Sequence, residues 1–452
     1  MAPALVEMLR RFYCEVKYKD MQTVFLPQRI GFCELYGTVT AVHQTLGAVG
    51  KSSADDVRKY SADTIASRIF ADGALGTGGR TALLEGRAGI SKSTMARMVA
   101  RQQSFPGGLT LLVDLPRLRD HVCNASVAEF NGPDMDDPRV WRRALVFAAL
   151  RGVQDEPLAS LAFFTADEEQ RILAAVTDAD GPPVLWIFDG VAEVASCDHP
   201  VMVGILKYFV SSSHRGASGS AFTRAQDRAL VLSREDRAST ASISFRSGAV
   251  KLLVNPWSAE DVVRYVSRVY AALRTSPSET GGACRRQTAL DFMLGVKKLQ
   301  IAIGGLTLPV FCEAICAHVF FTHNQDSTIR DSERAPRHAA DLYDAALQSR
   351  AGGRLNATER LEATMALGEL CFTSLVSAAR QHDGTVDLTL VREEKQRVSI
   401  VAWGVAVPSG EKGKYRLLHN SLAEYFAAKY LVRRPGKLAV LPLTVGEGKD
   451  RQ

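Results

Sequence analysis

A run of four residues, Ser91-Lys92-Ser93-Thr94, sets one ammonium among three hydroxyls, and Gly86 and Gly89 precede it. An apolar stretch, Ala82-Leu83-Leu84, leads in, and a helical pattern, Met95 to Ala100, leads out. A turn between a strand and a helix start aims backbone N–H groups at one point, which suits phosphate oxygens. Lys92 would reach the β- and γ-phosphates and the Ser93 hydroxyl would ligate Mg²⁺. The spacing follows G-x-x-x-x-G-K-[ST] except that Ser91 stands at the second glycine. The alternative is a Gly/Ser-rich loop that caps an ordinary helix.

A second segment strengthens the first. Val184-Leu-Trp-Ile-Phe188 is an apolar run suited to a strand buried on both faces, and Asp189 closes it. Ligands bind beyond the C-terminal ends of strands in open parallel sheets. A carboxylate there can hold Mg²⁺, and Glu193 follows closely enough to polarise an attacking water. Read alone, Asp189-Gly190 would be a strand-ending turn.

These groups must be carried by a chain of 452 residues, which is long enough for two to four domains, and 46% hydrophobic content fills their cores. The net charge of +6, from 55 basic and 49 acidic residues, includes no basic run interleaved with aromatics, so nucleic acid is not supported as a partner. The eight cysteines form no C-x-x-C pair. Cys312 and Cys316 read as buried thiols on one helix, and the whole usage fits a reducing, cytoplasmic compartment. The N-terminus lacks the shape of a signal peptide. Ile301 to Phe321, the most apolar stretch, is interrupted by Pro309, Glu313 and His318 and reads as a buried helix rather than a membrane span.

Residues 1–71 show no clean periodicity, and the glycine-rich Asp72 to Gly79 reads as a flexible lead-in. From Thr81 to Val254 strands alternate with helices. The strands are Leu109–Asp114, the Asp189 strand, Ala229–Leu232 and Val250–Val254, and the helices are Trp141–Val153 and Ala166–Val176. Asn131 to Asp137 is irregular. This alternation implies a parallel sheet with crossover helices. Ser258 and Asp261 cap a helix over 258–273, and Ser276–Arg286 and Asn324–Arg337 read as loops. Asn356 and Glu359 open a long helix. Val386–Val391, Arg397–Val407 and Tyr415–Leu418 read as strands of a short hairpin unit, and a last helix follows His419 with Ser421 and Glu424 as its capping box.

In this order the motifs resemble a NACHT-type STAND NTPase, the nucleotide switch of nucleotide-binding, leucine-rich-repeat receptors. The resemblance covers residues 78–432. The family loop G-x-A-G-x-G-K-[ST]-[ST] is matched by Gly86, Ala88, Gly89, Lys92, Ser93 and Thr94, and its D-G-x-D-E by Asp189, Gly190 and Glu193. Ser233-Arg234 resembles the sensor strand, and Asn255–Asp261 resembles the turn into the first helical domain. Leu308–Cys312 resembles the proline segment near the base, and Leu418–Ala428 the helix start that bears a histidine.

The resemblance implies an α/β P-loop NTPase parallel sheet followed by a helical subdomain and a winged-helix domain. Its boundaries would be an N-terminal region of unknown structure at 1–77, a nucleotide-binding domain at 78–256, a helical domain at 257–334, a winged-helix domain at 335–436 and a tail at 437–452. ATP or ADP would lie against Gly86, Gly89, Ser91, Lys92, Ser93, Thr94, Pro309 and His419. Mg²⁺ would be held by Ser93 and Asp189, with Glu193 and Arg234 catalytic. Arg234 would sense the γ-phosphate, and His419 would contact the β-phosphate of ADP in a closed state. Adenine is expected, since no N-K-x-D motif is present.

Two departures bear on activity. Ser91 replaces a glycine, and Ala192 replaces the acid before Glu193, so slow hydrolysis is expected. No effector domain or repeat array is recognisable, so a minimal, fragmentary or divergent member is expected. The function implied is an ATP/ADP-dependent signalling switch with self-association and protein partners. Its alternatives are a catalytically weak or inactive nucleotide-binding scaffold of the same fold and a nucleic-acid-stimulated ATPase.

Overall fold

The structure is a computed structural model that describes residues 2–17, 20–22, 29–31, 40–44, 59–61, 64–67, 81–86, 91–123, 138–151, 163–178, 180–194, 197, 199–206, 226–234, 250–254, 257–273, 309–322, 339–351, 354–377, 385–408, 413–417 and 420–440. Asp72–Gly79, Asn131–Asp137, Ser276–Arg286 and Asn324–Arg337 lie outside these residues wholly or almost wholly. The chain divides into two compact units, Met1–Leu342 and Tyr343–Gln452.

The first unit opens with helix α1 (Ala2–Arg11), continued by a wider turn over Phe12–Lys17. Strands β1 (Asp20–Gln22) and β2 (Arg29–Gly31) pair with each other. Then come β3 (Thr40–Gln44), β4 (Lys59–Ser61), β5 (Thr81–Gly86), α2 (Lys92–Gln102), β6 (Leu109–Asp114), α3 (Leu115–Cys123), α4 (Pro138–Arg151) and α5 (Ala166–Thr177). The series continues with β7 (Val184–Asp189), the short α6 (Val191–Val194), α7 (Pro200–Ile205), β8 (Arg228–Arg234), β9 (Val250–Val254), α8 (Ala259–Ala272) and α9 (Pro309–Thr322).

Five of these strands run parallel in the order β9-β5-β8-β7-β6. The apolar runs explain why. Leu83, Leu84, Leu111, Val113, Ile187 and Phe188 are buried, as strands covered by crossover helices on both faces require. This helix-covered parallel sheet, entered through a strand–loop–helix turn, is the α/β fold of P-loop NTPases, as the sequence implies. The alternation also reaches back before residue 78. β3 pairs antiparallel with β9, Ala41 opposite Val254, and β4 pairs antiparallel with β3.

At the other end β6 is an edge, and an open edge exposes unpaired N–H groups. Two side chains close it. Gln103, in a left-handed turn at φ 49°, accepts from the Thr110 N–H at 3.0 Å and donates to the Thr110 and Ala100 carbonyls. The Tyr13 hydroxyl accepts from the Leu112 N–H at 3.1 Å. Tyr13 is buried, which pushes its phenol above the ordinary tyrosine range. Phe12 packs on Phe163 and Phe164 and anchors the segment that brings Tyr13 to the edge. The N-terminal residues, which carry no clear pattern, are thus part of this unit's core.

The far side of the unit is helical. Ser258 and Asp261 form the expected reciprocal cap of α8. The Tyr270 hydroxyl donates to the Cys316 carbonyl at 3.0 Å, which ties α8 to α9. Cys312 and Cys316 are buried on α9 as expected. Among the described residues no helix is long and apolar enough to cross a membrane.

The second unit contains most of α10 (Ala339–Ala351), then α11 (Ala357–Ser377), β10 (Thr385–Asp387), a 3₁₀ turn (Leu388–Leu390), α12 (Glu394–Trp403), β11 (Ala406–Pro408), β12 (Lys414–Leu417), α13 (Asn420–Arg433) and a 3₁₀ turn (Pro435–Val440). Its sheet, β10-β12-β11, is antiparallel. The order is strand, helix, hairpin, with the first strand paired to the second hairpin strand. α11 and α13 approach closely at Gly368, where a Cβ would stand 2.7 Å from the Phe426 carbonyl oxygen. Asn356 and Glu359 cap α11 reciprocally at 2.9 Å. Tyr425 and Lys429 both reach the Asp344 carboxylate.

Two sequence expectations change here. The β-branched residues of Arg397–Val407 read as one strand, but Arg397–Trp403 is helical and only Ala406–Pro408 is extended. Buried Ser399, Ile400 and Trp403 fall at helical spacing, the Trp403 indole donates to the Leu347 carbonyl at 3.0 Å, and Gly404 at φ 71° stops the helix. Packing outweighs the intrinsic preference. Similarly, Val386–Val391 is a strand only to Asp387, whose carboxylate accepts from the Thr389 N–H and turns the chain. Ser421 lies inside α13, which begins at Asn420, so Ser421 is not its N-cap.

Candidate functional site

The site is built where β5 hands over to α2. Gly86 ends the strand and Lys92 is the first helical residue. Ser91 between them adopts φ 77°, ψ 27°. Its carbonyl accepts the first helical bond, from the Met95 N–H at 3.0 Å, while its side chain makes no cap. An N-cap serine normally has extended backbone. The left-handed conformation belongs to glycine, and an L-residue held there carries about 1–2 kcal/mol of strain. At Ser91 the backbone therefore has a glycine-type conformation although the residue is serine. The Lys92 ammonium folds back to the Gly86 carbonyl at 2.5 Å, spanning the turn.

Asp189 ends β7 and points at the same place. Its carboxylate accepts a hydrogen bond from the Ser93 hydroxyl on α2. The Asp189 pKa is raised, first by burial, then by the neighbouring Asp114. The Ser93 bond, Arg97 and Lys92 oppose the rise. Asp114 is the register partner of Asp189 across β6 and β7, and it is held by the Arg117 N–H at 3.2 Å and its guanidinium at 3.3 Å. Gly190, at φ 82°, lets the chain turn sharply away after the acid. A hydroxyl and a carboxylate facing each other form an oxygen pair suited to a hard divalent cation.

A raised pKa means that the folded protein holds the Asp189 proton more tightly than the unfolded chain. The ionised carboxylate then costs stability above the folded pKa, and the cost disappears as pH falls through it. Asp189→Asn is expected to melt higher than wild type at neutral pH. The two melting curves should converge in acid. A variant less stable than wild type at every pH would contradict the buried, charged carboxylate.

The remaining expected residues are placed as follows. Arg234 ends β8, which lies between β5 and β7, and is the register partner of Gly86. Glu193 lies in α6 directly after Asp189 and Gly190. Thr94 is buried in the first turn of α2. Pro309 is the first residue of α9, a position proline favours. Gly89 and His419 lie outside the described residues.

Two site residues escaped the sequence reading. Asp114 closes an apolar run just as Asp189 does, so the same signal was present. Arg97 stands four residues after Ser93, on one face of α2.

No protein-family profile matches the chain, and no curated protein does. Among solved structures it is similar to the Walker-type ATPase of Pyrococcus abyssi, with a TM-score of 0.33 and 10% identity over 84% of this chain and 99% of that one. It is also similar to a STAND protein with a tetratricopeptide-repeat sensor from Pyrococcus horikoshii, with a TM-score of 0.31 and 12% identity over 81% and 44% of the two chains. A third is the Aeropyrum pernix ORC1 protein in complex with DNA, with a TM-score of 0.34 and 16% identity over 83% and 93%.

Proposed function

We propose that this chain is an ATP/ADP-operated switch of the STAND kind, in which the nucleotide held at the β5–α2 turn sets the arrangement of the protein. The observation that carries this reading is the convergence of Ser93 and Asp189 beside Lys92, with the loop backbone in a glycine conformation at Ser91. Lys92 binds phosphate oxygens, and the amides at the start of α2 add donors. Ser93 and Asp189 are the residues that would hold Mg²⁺, which neutralises phosphate charge when bound. Asp114 and Arg97 set the charge around Asp189. Arg234, beside Gly86, approaches the terminal phosphate, and Glu193 polarises water. Self-association and protein partners belong to the same proposal, as does a cytoplasmic setting.

Ser91 and Ala192 limit turnover in this reading and leave binding intact. Ser91→Gly removes the backbone strain, and Ala192→Asp returns an acid next to Glu193. Together they should raise steady-state ATP turnover roughly tenfold, a change of about 1.4 kcal/mol in the barrier. Flat turnover in the double variant would favour the nucleotide-binding scaffold. The nucleic-acid-stimulated alternative rests on the winged-helix order of the second unit. Its helix α12 and the preceding turn expose Leu390, Val398 and Val401, and Glu393 and Glu394 offset two of the three charges of Arg392, Lys395 and Arg397, a surface that does not strongly favour phosphate backbones. Turnover should therefore be unchanged by added DNA or RNA.

The switch itself is tested at His419, which we place against ADP in the closed state. One hydrogen bond to a charged group contributes about 1.5–3 kcal/mol, so His419→Ala should weaken ADP binding roughly tenfold to a hundredfold. A ligand shifts a two-state equilibrium only by its differential affinity, so ATP should be affected less. Calorimetry with both nucleotides, together with sedimentation, decides this. Equal affinities and unchanged association in the variant would remove the switch.

A further inference from the structure

We propose that Cys123 and Cys197 form a redox-sensitive thiol pair whose oxidation staples the two segments leaving the acid-bearing ends of β6 and β7. The sulfurs lie 3.9 Å apart although the residues are 74 positions apart in sequence. Cys123 is exposed and Cys197 half-buried. Bonded sulfurs stand at ~2.05 Å, so rotation of two side chains has under about 2 Å to close.

The position gives the pair its consequence. α3 leaves β6 directly after Asp114 and ends at Cys123. α6 follows Asp189 and Gly190, and the Cys197 N–H donates to the Val194 carbonyl at 2.9 Å, which closes the turn behind it. Val122, Val191 and Val194 are buried beneath the two thiols' segments. A covalent link here joins the two chain segments that issue from Asp114 and Asp189. It would restrain the turn that carries Glu193.

The remaining described cysteines differ. Cys312, Cys316 and Cys371 are buried, which pushes their thiols well above the ordinary range and makes them poor nucleophiles. The Cys14 thiol lies 3.8 Å from the Arg101 carbonyl, half-buried. Cys33 and Cys284 lie outside the described residues.

The oxidant that suits an exposed thiol is a small-molecule disulfide such as oxidised glutathione. The Cys123 thiolate attacks one glutathione sulfur, the S–S bond breaks, and one glutathione leaves as thiolate. The Cys197 thiolate then attacks the mixed disulfide and displaces the second glutathione. Two protein thiols are oxidised to one disulfide, one glutathione disulfide is reduced to two thiols, and the two protons pass to the leaving thiolates. A dithiol reductant reverses both steps.

The test uses the full chain treated with oxidised glutathione and mapped by non-reducing peptide mass spectrometry. The expected product is a Cys123–Cys197 peptide lacking two hydrogens, lost again on adding dithiothreitol. Cys197→Ser should instead accumulate a glutathione adduct on Cys123. Because Cys123 is exposed at a helix end, Cys123→Ser is a second variant and should trap the adduct on Cys197. In the oxidised wild type, amide exchange in the peptides covering Val191–Val194 and Pro200–Ile205 should slow several-fold. Persistent glutathione adducts on wild type without the cross-link would overturn the pairing. A cross-link that leaves amide exchange unchanged would overturn the restraint.

Discussion

Lys92→Ala should reduce ATP and ADP affinity by at least a hundredfold while the chain remains folded. The ammonium belongs to the first residue of α2, and it already reaches across the turn to the Gly86 carbonyl at 2.5 Å. Against phosphate the same group makes charge-assisted hydrogen bonds of about 1.5–3 kcal/mol each, so losing two costs about 3–6 kcal/mol of binding. Losing the bond to Gly86 costs the free protein only about 1 kcal/mol. Calorimetric titration and a thermal melt separate the two effects. Wild-type affinity in a folded variant would dismantle the assignment of the site.

Arg142→Leu should act at the opposite end of the sheet's strands and on stability. Arg142 is buried on α4 with its guanidinium 2.6 Å from the Val176 carbonyl and 3.7 Å from the Asp227 carboxylate. Asp227, also buried, accepts from the Val184 N–H at 3.0 Å at the start of β7 and directly precedes β8. The pair therefore pins the N-terminal ends of two central strands. Removing one partner of a buried pair leaves the other charge in a poor environment and costs about 3–5 kcal/mol. That is a large share of a typical stability of about 5–15 kcal/mol. Replacing both residues by leucine should recover part of the loss, because two buried charges are then removed together. Nucleotide affinity of the folded variant, measured in the cold, should stay near wild type, since the Lys92 turn lies at the C-terminal ends of the strands. A single variant that melts with wild type would show that the pair is not structural.

The candidate site was legible because its signals are local. Lys92, Ser93 and Thr94 follow a turn, Asp189 closes an apolar run, and both facts stand in consecutive residues. The caps at Ser258 and Asn356 were legible for the same reason, since their partners lie three residues on. Arg397–Val407 misled because valine and isoleucine favour strands, whereas burial of Trp403 against Leu347 and a left-handed Gly404 impose a helix. The helix starts at Asn420, so Ser421 lies inside it, two positions past the N-cap.

Sequence alone determined the alternation of buried strands and helices, the turn that opens a helix at Lys92 and Ser93, and the acid that closes β7, since these depend on side-chain type and spacing within one element. Tertiary structure decided what depends on distant pairing. Strand register set Asp114 beside Asp189 and Arg234 beside Gly86. It also added β3 to the sheet through β9, brought Tyr13 to the N–H of Leu112, and set Cys123 against Cys197. The glycine conformation of Ser91 belongs to this second group. A serine's own preference opposes it, and only a loop held at both ends, by β5 in the sheet and α2 against the core, keeps it there.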